Sequence, residues 1–384
     1  MRVLTVFGTR PEAVKMAPVV KKLAITPSIE ARVCVTAQHR QMLDQVLSLF
    51  QIQPDYDLNL MRDEQTLAQL SADIFTHLDP VLTDFSPDWV LAQGDTTTVA
   101  ITSLLCYYRR IKFGHVEAGL RTHNKWAPFP EEINRRIAGV TADLHFAPTE
   151  WSKKNLLREG VDESIIKVTG NTVIDALQFV AKQPEPDEVR VLLAKLQISN
   201  EKRETSENSS PVSRRLILVT AHRRENFGEP MENICQALIE LASRGDVEIV
   251  YPVHLNPNVQ EPVNRLLMGV DHITLLPPLD YLPLVHLMKH THIILTDSGG
   301  IQEEAPAFGI PTLVLRDVTE RPEGIEAGTL KLAGTETAQI TSEANRLLDD
   351  QAAYKSMSFA ANPYGNGHAA ENILKELLQH RENL

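Results

Sequence analysis

Residues 296–304, with the sequence TDSGGIQEE, have the residue types of an anion-binding turn. They follow the apolar run 293–295, which predicts a buried strand, and Ile301 onward predicts a helix. A turn of Ser298, Gly299 and Gly300 points backbone N–H groups into one concavity, and the N-terminus of the helix adds partial positive charge. We therefore predict a phosphate-type site, with Glu304 placed to accept hydrogen bonds from ribose hydroxyls. A helix cap without a ligand is the alternative.

Two cations lie at the start of the first predicted helix. Arg10 follows the strand pattern 2–7 and the turn residue Gly8, and Lys15 lies about one turn further on. Cations at this end oppose the helix dipole, so an anionic ligand would explain them, whereas a salt-bridged surface pair is the alternative. The dinucleotide fingerprint G-x-G-x-x-G is absent from this turn.

Three carboxylates lie where predicted strands end or helices begin. Asp95 follows the strand 89–92, and the alternative role for it is a helix N-cap. Glu117 ends the buried strand 113–116, which is unusual for a carboxylate unless it is paired, with Arg121 as a possible partner, or functional. Glu131 opens a helix, where an acidic residue is favoured in any case.

A histidine follows the first strand of the second half. His222 comes after the run 216–220 and is followed by Arg223 and Arg224. Neighbouring cations would lower its pKa and a bound diphosphate would raise it, while a hydrogen-bonded surface histidine is the alternative. Arg321 follows the strand 312–315 and can reach back toward the turn at Ser298. No His, Cys, Asp and Glu set has the spacing of a metal site.

The elements that position these residues alternate between strands and helices, which predicts two parallel sheets, each with crossover helices. We expect an α/β protein with two Rossmann-like domains facing a cleft. The strands are predicted at 2–7, 32–36, 88–92, 112–116, 144–147, 166–169, 215–220, 247–252, 272–276, 292–296 and 312–315. The alternation pauses in the polar segment 183–214, and we predict a mobile surface loop at 199–213.

Composition narrows the function classes. A chain of 384 residues suggests two domains, and 43% hydrophobic with 23% charged residues is typical of a soluble globular protein. A formal net charge of -12 argues against general nucleic-acid binding. No signal-peptide or membrane-spanning pattern is present, and the three cysteines form no C-x-x-C pair. A reducing cytoplasm is the expected compartment.

Eleven segments then carry a resemblance that covers almost the full length. In chain order they are GTRPEAVKMAP, TAQHRQMLDQ, GDTTT, HVEAGLRT, PFPEEINRR, TGNTVIDAL, TAHRREN, HLNPNV, TDSGGIQEEAP, RDVTERPE and NPYGNG. Together they resemble the bacterial non-hydrolysing UDP-N-acetylglucosamine 2-epimerases. The resemblance implies the GT-B glycosyltransferase-type fold and a homodimer. It implies a catalytic domain at 1–172, on which a C-terminal helix at 363–384 packs, and a UDP-binding domain at 173–362.

The resemblance also implies a reaction. UDP-GlcNAc and UDP-ManNAc are interconverted without an added cofactor, through elimination of UDP to a bound 2-acetamidoglucal and its re-addition, and the product supplies ManNAc units for bacterial surface polysaccharide. A hydrolysing epimerase, a GT-B glycosyltransferase and a non-catalytic nucleotide-sugar sensor are the competing interpretations.

Site residues follow from the matched segments. The implied catalytic residues are Asp95, Glu117, Glu131 and His222. The implied substrate-binding residues are Arg10, Lys15, Leu279, Leu284, Ser298, Gly299, Gly300, Glu304 and Arg321. The segment 277–284 matches the uracil-binding segment of the family, which often carries Gln and Phe where Leu279 and Leu284 stand. An allosteric site for a second UDP-GlcNAc is implied at Gln38, His39, Arg223 and His254, with Glu131 contributing to it as well.

Overall fold

The computed structural model describes residues 1–36, 40–62, 64–198 and 214–380. It divides into two compact units, one formed by Met1–Gln178 with the C-terminal segment from Tyr364, and one formed by Phe179–Pro363. Each unit contains one parallel sheet with helices, so the predicted α/β class is confirmed. The sequence-based domain limits, 1–172 with 363–384 and 173–362, stay a prediction.

The first unit has, in its described part, seven parallel strands in the order β3-β2-β1-β4-β5-β6-β7. These are β1 (Arg2–Phe7), β2 (Glu30–Val35), β3 (Tyr56–Asp57), β4 (Trp89–Gln93), β5 (Lys112–Val116), β6 (Leu144–Ala147) and β7 (Ile166–Val168). The helices that accompany this sheet are α1 (Arg10–Ala24), α2 (Arg40–Leu49), α3 (Leu67–Phe85), α4 (Thr97–Arg109), α5 (Glu131–Thr141), α6 (Glu150–Arg158) and α7 (Thr172–Ala181). The last of them, α7, extends into the second unit.

The second unit has six parallel strands among its described residues, in the order β10-β9-β8-β11-β12-β13. They are β8 (Arg215–Thr220), β9 (Val247–Pro252), β10 (Ile273–Leu276), β11 (Ile293–Thr296), β12 (Thr312–Val314) and β13 (Leu330–Leu332). Its helices are α8 (Asp187–Lys195), α9 (Glu229–Ala242), α10 (Pro257–Leu267), α11 (Tyr281–Lys289), α12 (Gly299–Glu304), α13 (Pro322–Glu326), α14 (Thr337–Asp349) and α15 (Gln351–Ser358).

The last helix, α16 (Ala369–Gln379), belongs to the first unit. The Asp175 carboxylate accepts hydrogen bonds from the backbone N–H groups of Ala369 and Ala370 at 3.1 and 2.9 Å. An acidic side chain at the amino end of a helix satisfies donors that have no partner inside the helix. Ile373 and Leu377 on the same helix are fully buried. The chain therefore ends by packing onto its own N-terminal unit.

The central strands β1, β4, β8 and β11 are mostly apolar and buried, as expected where helices cover both faces. β1 pairs with β2 on one side and β4 on the other, and β8 pairs in the same way with β9 and β11. The connections after β1 and β4 therefore run toward opposite edges of the first sheet, and those after β8 and β11 do the same in the second. Ligands of such sheets bind beyond the carboxyl ends of the strands at these points, which is where the predicted site residues follow the strands.

The alternation of predicted elements missed one helix. The polar segment 183–214 contains helix α8, whose first turn carries Asp187 and Glu188. Val189 and Leu193 are buried on it, and this i, i+4 apolar pair was hidden by the polar composition around it. The predicted mobile loop 199–213 lies outside the described residues. Strands β3 and β13 have two and three residues, too few for a periodic pattern. No helix in the described ranges is long and apolar enough to span a bilayer.

Acid sensitivity is expected from a buried histidine pair. His115 on β5 and His145 on β6 are register partners and both are buried. Burial lowers the pKa of His145 from 6.5 to about 3, and neither of its ring nitrogens has a hydrogen-bond partner among the described residues. The unfolded chain therefore takes up the proton first as pH falls below 6.5. Between pH 7 and pH 5 this should reduce the free energy of unfolding by about 2 kcal/mol.

His145→Phe should remove that part of the pH dependence. Urea denaturation measures the free energy of unfolding at each pH. Between pH 7 and pH 5 this free energy should fall by about 2 kcal/mol less in the variant than in the parent chain. His77→Phe is the control, because His77 on α3 is exposed whereas His145 is buried. Equal pH dependence in His145→Phe and the parent chain would contradict the assignment.

Candidate active site

A buried carboxylate ties together the two turns at the centre of the first sheet. Glu12 accepts hydrogen bonds from the backbone N–H groups of Gly8 and Thr9 at 2.9 and 2.7 Å. Its other oxygen accepts from the Thr96 hydroxyl at 2.6 Å. Burial raises the pKa of Glu12, and these hydrogen bonds act in the opposite direction. Glu12 therefore links the turn that follows β1 to the start of α4. Arg10 lies directly after this turn.

Glu117 lies directly after β5, and both of its carboxylate oxygens are engaged. Lys15 donates to Oε1 and the Gln93 amide donates to Oε2. The Glu117 backbone is in the left-handed region, at φ 63°, a conformation that is strained for a residue with this side chain. A Cβ on Gly94 would stand 3.6 Å from Oε2. The fold thus holds this carboxylate at the strand end in a single orientation.

The partner that the sequence suggested for Glu117 is wrong. Arg121 pairs instead with Glu159, with Nε and one terminal nitrogen each 2.8 Å from a carboxylate oxygen. Lys15 is the partner of Glu117, and their side chains are largely buried. Arg10, the first residue of α1, is half-buried and forms no ion pair with the described part of the chain. Binding of an anion by Arg10 and Lys15 stays a prediction.

Asp95 is held by helix α5. Arg135 donates to its Oδ2, and the Asn134 amide donates to its backbone carbonyl at 3.0 Å. The alternative role of Asp95 as an N-cap is wrong, because Thr96 is the N-cap of α4. Glu131, the third predicted carboxylate, is half-buried at the first position of α5.

In the second unit, Asp297 joins the carboxyl ends of β8 and β11. It is completely buried, and its Oδ2 accepts hydrogen bonds from the backbone N–H groups of His222 and Arg223 at 2.8 and 2.7 Å. The Asn226 amide donates to the same oxygen at 2.9 Å. The turn that carries His222 is therefore held by a carboxylate that follows the neighbouring strand.

The His222 ring stacks on His254, with 5.2 Å between ring centroids and 15° between planes. Burial lowers the pKa of His222; Asp297 opposes this, and His254 and Arg223 reinforce it. The predicted lowering is confirmed, although burial contributes more than the neighbouring cation. Two of the predicted allosteric residues, Arg223 and His254, thus adjoin His222. The other two, Gln38 and His39, lie outside the described residues.

Arg321 reaches the glycine turn as predicted. Its Nε and one terminal nitrogen donate to Glu303 at 3.0 and 2.8 Å, and the other terminal nitrogen donates to Glu320 at 2.8 Å. A Cβ added to Gly299 would lie 3.0 Å from the guanidinium carbon, closer than side chains normally approach. A side chain at position 299 would therefore crowd the Arg321 guanidinium, which its bonds to Glu303 and Glu320 hold in place.

The turn offers fewer outward donors than the sequence suggested. The backbone N–H of Ser298 donates to the Thr296 hydroxyl at 2.9 Å and is satisfied within the protein. Helix α12 begins at Gly299 and has six residues. The remaining donors of the predicted phosphate site are the N–H groups of Gly299 and Gly300, whose contact with an anion stays a prediction.

Glu304 lies buried at the end of α12 and accepts a hydrogen bond from the Tyr281 hydroxyl at 2.6 Å. Tyr281 is the first residue of α11, inside the predicted uracil segment, and the half-buried Leu279 and Leu284 flank it. The structure thus joins the predicted ribose residue to the predicted base segment, as one nucleotide would require.

Sequence reasoning missed four residues that hold the site: Glu12, Arg135, Tyr281 and Asp297. Glu12 could have been found, since T-R-P-E is a capping box in which the fourth residue bonds back to the first. The other three act on residues that are distant in sequence. Within the described ranges no group of three His, Cys, Asp or Glu side chains could hold a metal ion.

Comparison with known proteins identifies the family. The family model described as UDP-N-acetylglucosamine 2-epimerase matches residues 21–378. The chain belongs to the UDP-N-acetylglucosamine 2-epimerase family.

Relatives in this family match over the full length. The chain is 55% identical over 387 residues to the UDP-N-acetylglucosamine 2-epimerase of Yersinia pestis, with 100% of each chain covered. Among solved structures, it resembles the UDP-GlcNAc 2-epimerase of Neisseria meningitidis bound to UDP-GlcNAc, with 49% identity, a TM-score of 0.86 and coverage of 99% and 100%.

A more distant structure has the same architecture. The UDP-GlcNAc 2-epimerase of Methanocaldococcus jannaschii in complex with UDP-GlcNAc and UDP is 31% identical, with a TM-score of 0.79 over 99% of this chain and 100% of that one. The two parallel-sheet units thus follow the GT-B-type fold of the 2-epimerase family, as expected from the sequence.

Proposed function

We propose that this protein interconverts UDP-GlcNAc and UDP-ManNAc without hydrolysing them. One observation supports the proposal most directly: Asp95 and Glu117 follow the neighbouring strands β4 and β5, and each is oriented by a cation of its own unit. Glu131 begins the helix that contacts Asp95. Epimerisation at carbon 2 requires acid/base groups for both faces of the hexose, and carboxylates so arranged can supply them.

The proposed chemistry is an elimination followed by re-addition. A carboxylate takes the proton from carbon 2, the C–H electrons form the carbon 1–carbon 2 double bond, and UDP leaves carbon 1 with the electrons of the C–O bond. The resulting 2-acetamidoglucal stays bound. UDP then adds back to carbon 1 while carbon 2 receives a proton on the opposite face. Holding both fragments in place makes the return step intramolecular.

The site residues have three proposed roles: proton transfer, stabilisation of the leaving group and nucleotide binding. Asp95 or Glu131 removes the proton, and Glu117 acts near the acetamido group. His222 stabilises the leaving diphosphate; burial lowers its pKa and so favours the neutral ring, and a bound diphosphate would raise that pKa. Further binding residues for the nucleotide are Arg10, Lys15, Ser298, Gly299, Gly300, Glu304 and Arg321.

Proton NMR in deuterated water tests the function. UDP-GlcNAc should gain deuterium at carbon 2 while the nucleotide sugar stays intact and UDP-ManNAc forms. Accumulation of UDP with free ManNAc would instead indicate a hydrolysing epimerase. UDP binding without any exchange would indicate a glycosyltransferase or a nucleotide-sugar sensor.

Glu304→Ala should weaken UDP binding. Loss of a charged hydrogen-bond acceptor at the ribose should reduce affinity by about 1.5–3 kcal/mol, or about 10- to 150-fold in Kd. Isothermal titration with UDP measures this, and Glu326→Ala is the control because Glu326 is exposed on α13. Tyr281→Phe should show a smaller loss, since Glu304 keeps its charge. Unchanged affinity in Glu304→Ala would rule out the ribose role.

Three further properties are proposed from the family resemblance. The enzyme would act as a homodimer, which sedimentation analysis tests. It would supply ManNAc units for surface polysaccharide. A second UDP-GlcNAc would activate it through Arg223 and His254, and full initial rates with UDP-ManNAc alone would refute that activation.

A further inference from the structure

Arg135 lies between a carboxylate that is completely buried and one that is partly exposed. One terminal nitrogen donates to Oδ2 of Asp95, and the other donates to Oε2 of Glu132 at 3.1 Å. The side chains of Arg135 and Glu132 are 9% and 0% exposed, whereas that of Asp95 is 28% exposed. The guanidinium therefore links a fixed interior anion to an accessible one.

Glu132 is anchored independently of Arg135. It accepts hydrogen bonds from the backbone N–H groups of Thr122 and His123 at 3.0 and 3.1 Å. A carboxylate with two backbone donors has little rotational freedom. A guanidinium that donates to this carboxylate is therefore also restricted in its position. The position of Arg135 is thus set by the backbone of residues 122–123 as well as by α5.

The contacts of Asp95 are one-sided. Within the described residues, Arg135 engages only Oδ2, and Asn134 holds the Asp95 backbone carbonyl at 3.0 Å. The other oxygen, Oδ1, is left for a ligand. A base must present one oxygen to the proton in a fixed direction, since misplacement by about 1 Å can reduce a rate about 10²-fold.

On the basis of the function proposed above, we propose that Arg135, carried by Glu132, is the positioning residue that aims Oδ1 of Asp95 at the carbon 2 proton. Oδ1 takes that proton, the C–H electrons form the carbon 1–carbon 2 double bond, and UDP departs with the C–O electrons. Asp95 rather than Glu131 then removes the proton. Glu132, Asn134 and Arg135 together hold Asp95 in the orientation that this requires.

A purely structural ion pair is the competing explanation. Buried ion pairs are weak evidence for stabilisation, because the loss of hydration offsets much of the attraction. The neighbouring Arg136 provides a matched control on the same helix. It also lies near Glu132, at 3.6 Å, but its other carboxylate neighbour is Glu159 rather than Asp95.

The test compares Arg135→Ala, Arg135→Lys and Arg136→Ala by carbon 2 deuterium exchange, with KM and thermal unfolding measured in parallel. Arg135→Ala should lower kcat about 10²-fold and leave KM within about two-fold. Its isotope effect with carbon 2-deuterated substrate should increase. Added guanidinium ion should restore its rate in a saturable manner. Arg135→Lys should recover part of the rate, and Arg136→Ala should retain it.

Each contrary outcome is distinct. An Arg135→Ala variant with full kcat would overturn the proposal. So would a loss of kcat that follows the loss of folded protein and responds neither to guanidinium nor to Arg135→Lys. If Arg135→Ala does not fold, Arg135→Lys decides alone: it should show reduced kcat, unchanged KM and a larger isotope effect. Absence of exchange in the parent chain would instead reject the proposed function itself.

Discussion

Asp95→Asn is expected to reduce carbon 2 exchange by about 10²- to 10⁴-fold, the usual contribution of a general base. The amide keeps the size of the side chain and an oxygen that can accept from Arg135, but it cannot take the proton. UDP affinity should stay nearly unchanged, because Asp95 belongs to the unit that is proposed to hold the hexose. Exchange is followed by proton NMR and UDP binding by isothermal titration.

Asp88→Asn is the matched control for this variant. Asp88 precedes β4 and Asp95 follows it, so the same substitution is placed at opposite ends of one strand. Asp88 accepts a hydrogen bond from the backbone N–H of Arg2 at 2.7 Å and has no proposed contact with substrate. Equal loss of UDP binding in Asp95→Asn would show a structural role. Normal exchange would transfer the base role to Glu131.

Asp297→Ala is expected to have the largest effect on stability. Three donors, the backbone N–H groups of His222 and Arg223 and the Asn226 amide, would lose their acceptor in a buried place. A buried donor without a partner costs about 1–3 kcal/mol, so a total loss of about 3–5 kcal/mol is reasonable once the turn relaxes. Urea unfolding measures the loss, and UDP affinity should fall with it because the His222 turn is released.

Asp297→Asn separates charge from geometry. It keeps one oxygen acceptor at the same place, so it should be less destabilising than Asp297→Ala. Asp317→Ala is the control, since Asp317 also lies beyond the end of a strand of the same sheet but is exposed. If Asp297→Ala lost no more free energy of unfolding than Asp317→Ala, the interactions centred on Asp297 would not stabilise the unit.

Strand ends were predictable because apolar runs and helical patterns alternate clearly along the chain. Once the sheets are taken as parallel, the positions of Asp95, Glu117 and His222 beyond the strands follow from sheet geometry alone. The matches are close at β1 and β5, where the predicted and observed limits coincide. Local patterns were therefore enough to predict two parallel sheets, whereas the GT-B type of the fold came from the family resemblance.

The partners of the site residues were not predictable in the same way. Lys15 and Glu117 are 102 residues apart, and His222 and Asp297 are 75 apart. A sequence pattern contains no information on such pairs, and the local candidate Arg121 proved wrong for that reason. Even Arg135, 40 residues from Asp95, could be recognised only once α5 was placed against the end of β4.

The close approach of Arg321 to Gly299 bears on how genome sequences are assigned functions. A Cβ at position 299 would crowd an internal guanidinium, so packing alone favours glycine there, and a protein that had lost its chemistry but kept this packing would tend to keep the S-G-G signature as well. Searches built on that signature alone would collect inactive paralogues together with enzymes. A filter that also requires Asp95 with Arg135, and Glu117 with Lys15, selects for the groups that would handle protons and should separate the two.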